Sequence, residues 1–387
     1  MSVQVCPGFA DDARHHLMIA GAGAGKTTFL VERALSLPGF TLITTYTIRN
    51  SEEIRAKIRE LNHGVVPGNI EVLPWDTFLI QHGAKPFRRS LCFSDGKPAP
   101  RINGMLLVNS KDEGAPRWMN SSQYDYYMTS SGQIYSDKLA NYVCQCDDAS
   151  DGAVIKRLIG CYNKIYIDEV QDLAGYDLEI INRLLHQTQS EIVMTGDSRQ
   201  FIFRTHWEKK NQPYNTGKID AYITDKCKDT DCSIDYKTLN RSLRCRTEIC
   251  DFSSLLYSEF PPVQSKTEYK DTMHDGVFLV SEEDVDDYLE RFNPVVQLRW
   301  NVRVKVNPRA MVLNMGEAKG TTFDRVLIYP TTDMLKWISN HGHELSQEAR
   351  SKFYVALTRA RYSVGIVCKT KKVFKMDIAG IKKYERK

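Results

Sequence analysis

The sequence predicts an α/β fold with parallel sheets. Three stretches predict it: "HLMIAGAGAGKTTFL", "NKIYIDEVQDL" and "EIVMTGDSRQFIF". Each opens on a short apolar run of strand character and ends in residues suited to phosphate or metal. Ligands in an open α/β sheet bind outside the carboxyl ends of buried strands, which is where such residues then sit.

The first stretch begins with a strand over Leu17 to Ala20. Residues Ala20 to Thr27 fit the frame G-x-x-x-x-G-K-[ST], with Ala20 at the first glycine position. Gly21, Ala22, Gly23, Ala24 and Gly25 let the backbone amides curl around phosphates, and Thr28 closes the set. Phe29, Leu30, Ala34 and Leu35 then recur at helical spacing. The helix N-terminus adds partial positive charge to the loop. Lys26 is placed for the β- and γ-phosphates, and Thr27 offers its hydroxyl to Mg2+.

In the second stretch, Ile165 to Ile167 form a strand that ends in Asp168-Glu169. Leu178, Ile181, Leu184 and Leu185 mark the helix that follows. Asp168 suits the magnesium ion, and Glu169 suits orienting or deprotonating an attacking water. The third strand, Ile192 to Met194, runs into a turn at Gly196-Asp197. Gln200 is placed to reach a γ-phosphate or that water. In this order the three stretches make an ATPase core.

Six motifs in sequence resemble superfamily 1 helicases of the UvrD/Rep/PcrA type, from residue 17 to about residue 368. They are "AGAGAGKTT", "TYTIRNSEEIRAKI" (Thr45 to Ile58), "IDEVQDL" (Ile167 to Leu173), "GDSRQFIF", "EAKGTTFDRVLI" (Glu317 to Ile328) and "SKFYVALTRAR" (Ser351 to Arg361). The Gln171-Asp172 tail of the third is the most family-specific piece. The resemblance implies two RecA-like P-loop NTPase domains with parallel sheets, an ATP site between them and small inserts. It also implies ATP-driven 3′-to-5′ movement on single-stranded DNA. By the same resemblance Arg359 is an arginine finger, Arg244 a second phosphate-sensing arginine, and Gly320 lies near the nucleotide. Tyr46 and Arg49 contact the strand by stacking and by phosphate pairing.

The sequence departs from that family at several positions. Leu243 stands where relatives stack a tyrosine on adenine, and Thr322 replaces a glutamate. The tryptophan that follows the third-strand motif in relatives is out of register here, with Phe203 or Trp207 as its substitute. Gln4 lies near the position from which relatives read adenine.

The first domain is read as residues 1–206, with an insert at about 85–151, polar and rich in tyrosine and serine. The second is read as residues 207–387, with a short insert at about 253–308. That insert carries an acidic run, "SEEDVDDYLERF", read as the solvated start of a helix. Little sequence separates Arg244 from Glu317, where relatives carry a large accessory domain.

At 387 residues the chain is long enough for two or three domains with real cores. Net charge is +4, which permits a nucleic-acid partner without arguing for one. No apolar run reaches the length of a membrane span. The N-terminus lacks the order of a signal peptide, so the expected location is the cytoplasm, with no membrane partner. Cys227, Cys232, Cys245 and Cys250 form two C-x4-C pairs, read as free thiols because zinc ribbons use closer spacing. The leading expectation is an ATP- and Mg2+-dependent DNA helicase or translocase. The alternative is a nucleotide-switched ATPase subunit that regulates a nuclease or other effector, as in Gabija-type phage defence.

Overall fold

The computed structural model describes residues 8–9, 11–108, 110, 113–116, 118–202, 210–268, 270–369 and 371–386. The chain divides into two units, each built on a six-stranded sheet. The first unit holds the described residues of Met1–Met18, Lys26–Gly196 and Arg204–Asp235. The second holds those of Ile19–Gly25, Asp197–Phe203 and Tyr236–Lys387. The chain therefore passes from one unit to the other inside the glycine-rich loop, at Gly25-Lys26, and again at Gly196-Asp197.

The strands of the first unit are β1 (His15–Ile19), β2 (Thr41–Thr45), β3 (Ile70–Pro74), β4 (Gly104–Leu106), β5 (Gln133–Tyr135), β6 (Lys164–Asp168), β7 (Glu191–Gly196) and β8 (Cys232–Asp235). Six of them form the sheet β3-β2-β6-β7-β1-β8, and β4 pairs with β5 apart from it. β2 runs parallel to β3 and β6, β6 to β7, and β1 to β8. Parallel sheets are covered on both faces, which is why their strands read as unbroken apolar runs. Leu17 to Ile19, Ile165 to Ile167 and Ile192 to Met194 are all buried accordingly.

Helix Lys26–Ser36 buries Phe29, Leu30, Val31 and Ala34, and helix Tyr176–Leu185 buries Leu178, Ile181, Leu184 and Leu185. The stretch 85–151 contains a 14-residue helix, Ser136–Ala149, that buries Leu139, Tyr142, Val143 and Cys146 among others. Trp75 is fully buried and donates its indole N–H to Asp177 at 2.8 Å, so the largest core side chain leaves no polar atom unpaired.

The second unit contains β9 (Arg241–Ser242), β10 (Gln264–Ser265), β11 (Gly276–Ser281), β12 (Val296–Arg299), β13 (Val312–Asn314), β14 (Phe323–Tyr329), β15 (Ala360–Cys368) and β16 (Lys382–Lys383). Its main sheet has the order β13-β12-β14-β15-β11-β16, parallel at every pair, and β9 pairs with β10 beside it. Alternate residues feed two cores. Val277, Val326 and Ile366 join the cluster of Phe353, Tyr354 and Leu357 from helix Gln347–Leu357. Val280, Leu327 and Val367 join Val285, Tyr288 and Leu289 from helix Val285–Arg291. The strands alternate with period two, so these clusters cover opposite faces. The acidic run does open a helix: Glu282–Asp284 form a single turn capped by the Ser281 hydroxyl, and Val285–Arg291 follow.

These two parallel α/β sheets are the architecture of two RecA-like domains. No helix among the described residues is long and apolar enough to cross a membrane.

Candidate active site

In the first unit, the carboxyl end of β6 meets the start of the helix Lys26–Ser36. The Thr27 hydroxyl donates to Asp168 Oδ2 at 2.5 Å, and the Thr195 hydroxyl, from β7, donates to Oδ1 at 2.8 Å. The Glu169 backbone N–H donates to the same Oδ1 at 2.9 Å. Burial of Asp168 and the neighbouring Glu169 charge push its pKa up, while Lys26 and the two hydroxyls pull it down. Lys26 Nζ lies 3.3 Å from Glu169 Oε1, and the Gln171 amide donates to Oε2 at 2.5 Å. Glu169 itself has φ 55°, a left-handed conformation uncommon outside glycine. Thr28 is half-buried in the first turn of the helix.

Hard oxygen ligands suit Mg2+. The Thr27 hydroxyl and the Asp168 carboxylate, already together at the end of a strand, make a donor set that fits the ion.

In the second unit, the loop segment Ile19–Gly25 and the segment that follows β7 share a buried network. Arg199 is 2% exposed; it donates to Asp197 Oδ1 and to the Ala20 carbonyl, each at 2.7 Å. Its guanidinium also lies 5.4 Å from the ring centroid of Tyr354 and 5.5 Å from that of Phe260. The Gln200 amide donates to Asp197 Oδ2 at 2.7 Å, and its oxygen accepts from Arg359 at 3.1 Å. Arg359, also 2% exposed, donates further to the carbonyls of Val355 and Thr321. Arg244 donates to the Thr358 carbonyl at 3.2 Å, so both arginines hold the turn that ends helix Gln347–Leu357.

Gly23 in the loop has a packing reason. Gly23 has φ 73°, and a Cβ there would stand 2.6 Å from Arg244 Cβ. Its carbonyl accepts from the Leu243 N–H at 2.9 Å. Leu243, Ala24, Lys237, Thr238, Arg241 and Lys266 line a cavity of about 410 Å³. Leu243, which the motif resemblance sets at an adenine-stacking position, is thus an aliphatic side chain beside three cations. Gly320 is exposed in the turn between β13 and β14, with φ 85°.

Tyr46 is half-buried, and burial followed by the charges of Asp76, Asp177 and Asp172 raises its phenol pKa. Thr47 caps the helix Ile48–Leu61 through its hydroxyl. Arg49 is exposed on that helix and pairs with Glu53 at 3.1 Å. Phe203, Trp207 and Gln4 lie outside the described residues.

The structure brings together Lys26, Thr27, Asp168 and Glu169 in the first unit, and Gln200, Arg359 and Arg244 with the loop segment in the second. Sequence reading gave no role to Thr195, Asp197, Arg199 or Tyr354. Asp197 reads as a turn residue, yet it is fully buried and accepts from both Arg199 and Gln200. An acid and an arginine two apart, after an apolar strand, are the only trace of that pair in the sequence.

A family model described as the viral superfamily 1 RNA helicase core domain matches residues 137–368, more than half of the chain. The match begins after the Lys26 loop and takes in Asp168, Glu169, Gln200, Arg244, Gly320 and Arg359. It supports the superfamily 1 part of the motif resemblance and not the UvrD/Rep/PcrA branch. The search of curated proteins gives no match. Among solved structures, the arterivirus nonstructural protein 10 helicase is 14% identical with a TM-score of 0.45, covering 93% of this chain and 60% of that one. Its complex with DNA gives 15% and 0.45, covering 93% and 62%. The PRRSV helicase gives 14% and 0.43, covering 95% and 55%. The chain thus spans 55 to 62% of the length of these structures.

Proposed function

Because the chain belongs to the viral superfamily 1 RNA helicase core family, we propose that it hydrolyses nucleoside triphosphate to drive movement along single-stranded nucleic acid. ATP is its nucleotide and Mg2+ its metal. The observation that carries this reading is the cluster at the end of β6, where Lys26 and Thr27 meet the Asp168-Glu169 pair.

Each residue has a task set by its chemistry. Lys26 holds the β- and γ-phosphates, and the amides from Gly21 to Gly25 cradle them with the helix N-terminus behind. Thr27 and Asp168 hold the magnesium ion, which when bound neutralises charge on the phosphate oxygens. Glu169 orients the attacking water and accepts its proton. Gln200 positions that water or the γ-phosphate. Arg359 and Arg244 place positive charge where negative charge develops in the transition state, which lowers the barrier more than an equal contact in the ground state would.

Tyr46 and Arg49 supply a stacking face and a phosphate partner for the strand. The motif resemblance to UvrD/Rep/PcrA relatives supports DNA and 3′-to-5′ stepping, while the description of the matched family names RNA. No observation favours the effector-switch alternative.

The test is strand separation on duplexes of DNA and of RNA, tailed at either the 3′ or the 5′ end, with ATP or a non-hydrolysable analogue. The expected result is separation with ATP only and from one tail polarity. Separation that proceeds equally with the analogue contradicts the reading.

A further inference from the structure

We propose that Gln171 is a positioning residue for hydrolysis: its side-chain amide holds the Glu169 carboxylate toward the attacking water, and Gly196 keeps open the space that amide occupies. The inference rests on the hydrolytic reading above and adds to it a residue with no assigned role.

Three observations carry it. Gln171 is fully buried, and a buried amide is costly unless its hydrogen bonds are made. Its N–H donates to Glu169 Oε2 at 2.5 Å, across one turn of chain (Val170–Asp172) that follows β6 directly. Second, Glu169 adopts φ 55°, and a strained backbone at a carboxylate needs surroundings that hold it. Third, a Cβ at Gly196 would stand 2.6 Å from Gln171 Oε1 and 2.9 Å from Val170 Cγ1. The end of β7 therefore has room for the amide only while residue 196 is glycine.

The chemistry favours an amide for this work. Lys26 touches the other carboxylate oxygen, Oε1, at 3.3 Å, but bound phosphates compete for that lysine. The Gln171 amide N–H fixes the orientation of the carboxylate through Oε2. It does not titrate, so it never competes for the proton of the water.

The experiment measures kcat and KM for NTP hydrolysis and equilibrium ATP binding for wild type, Gln171→Met, Gln171→Glu, Gly196→Ala and the Gln171→Met/Gly196→Ala double variant, with a thermal melt of each. Methionine keeps the length of glutamine without the donor. It is expected to lower kcat roughly tenfold or more with KM little changed. Equilibrium ATP binding should stay near wild type, because the loss falls on the hydrolysis step. Gln171→Glu, which sets a like charge beside the Glu169 carboxylate in place of the donor, should lower kcat at least as far. Gly196→Ala should reproduce the methionine phenotype, and the double variant should lose no more than either single one. Wild-type kcat in Gln171→Met overturns the proposal, as does a loss of ATP binding and of melting temperature in step with kcat, the mark of packing alone. Absence of hydrolysis in the wild type overturns the hydrolytic reading itself, a separate failure seen in the first arm.

Discussion

Gln200 is held at both ends of its amide: the N–H donates to Asp197 at 2.7 Å, and the oxygen accepts from Arg359 at 3.1 Å. The arginine expected to act on the γ-phosphate is therefore already registered against the glutamine expected to position the water. Arg359→Ala should lower single-turnover hydrolysis by about a thousandfold while ATP affinity changes far less. Arg359→Lys should not restore the rate, because an ammonium cannot reproduce the planar fork that reaches Gln200 and the Thr321 carbonyl together. Stopped-flow phosphate release alongside equilibrium nucleotide binding checks both. A pure affinity loss would place Arg359 in ground-state binding.

Asp168 is a buried carboxyl whose charge the fold bears at a cost. Burial raises its pKa, so the folded state binds the proton more tightly than the unfolded chain does. Stability on this account rises as pH falls through the folded pKa and is lowest when the carboxylate is charged. Asp168→Asn should therefore abolish hydrolysis and yet raise the melting temperature at neutral pH by roughly 2 °C or more. Differential scanning calorimetry of the two proteins without nucleotide decides it. A lower melting temperature would show that the Thr27 and Thr195 hydrogen bonds outweigh desolvation.

His274 lies stacked between Phe278 and Phe292, at 3.7 and 3.9 Å, with Tyr288 in hydrogen-bond contact. Burial first, then the charges of Arg325 and Arg291, depress its pKa to about 3. Neutral in the fold, it protonates near pH 6.5 in the unfolded chain. Its contribution is whole above about pH 6.5 and is lost as pH falls from there toward 3, at about 1.4 kcal/mol per pH unit. Buried His15 and His16, whose pKa values are also lowered, act in the same direction. Urea midpoints at pH 7.5 and 5 should differ less in His274→Phe than in wild type. An unchanged difference would remove His274 from the acid response.

Strand binding should separate Tyr46 from Arg49. Arg49→Ala is expected to reduce the salt slope of single-strand affinity by close to one phosphate contact. Its ion pair with Glu53 is exposed and costs little to give up. Tyr46→Ala is expected to lose roughly 1–3 kcal/mol of binding with the slope unchanged. Fluorescence anisotropy at several salt concentrations reads both quantities. Equal slopes for the two variants would contradict the division.

The sequence carried the strands and loops of the ligand side well, because a parallel sheet writes its strands as apolar runs and its ligand chemistry at their ends. Leu17 to Ile19, Ile165 to Ile167 and Ile192 to Met194 lie in the strands they suggest, whereas Ala20 falls just beyond β1 and Gly196, read as a turn residue, ends β7. The coarse family was also legible, although the match supports a superfamily 1 core and not the UvrD/Rep/PcrA branch. Less visible was what holds the site. Arg199, Asp197 and Tyr354 are polar residues paired with each other in the interior, and composition cannot tell such a set from a solvated turn. Helix Ser136–Ala149 lay hidden in a polar, tyrosine-rich stretch because its buried face includes Asn141, Asp147 and two cysteines as well as aliphatic residues.

The most direct test of the proposed chemistry is phosphate release by wild type and Glu169→Gln, with and without single-stranded nucleic acid, together with ATP binding by both. Wild type should hydrolyse ATP faster when a strand is present. Glu169→Gln should bind ATP with near wild-type affinity and release almost no phosphate in either condition, since only the group that accepts the water's proton is lost. Near wild-type hydrolysis by Glu169→Gln would contradict the assignment of the catalytic base. A wild-type rate indifferent to every strand would contradict coupling to nucleic acid.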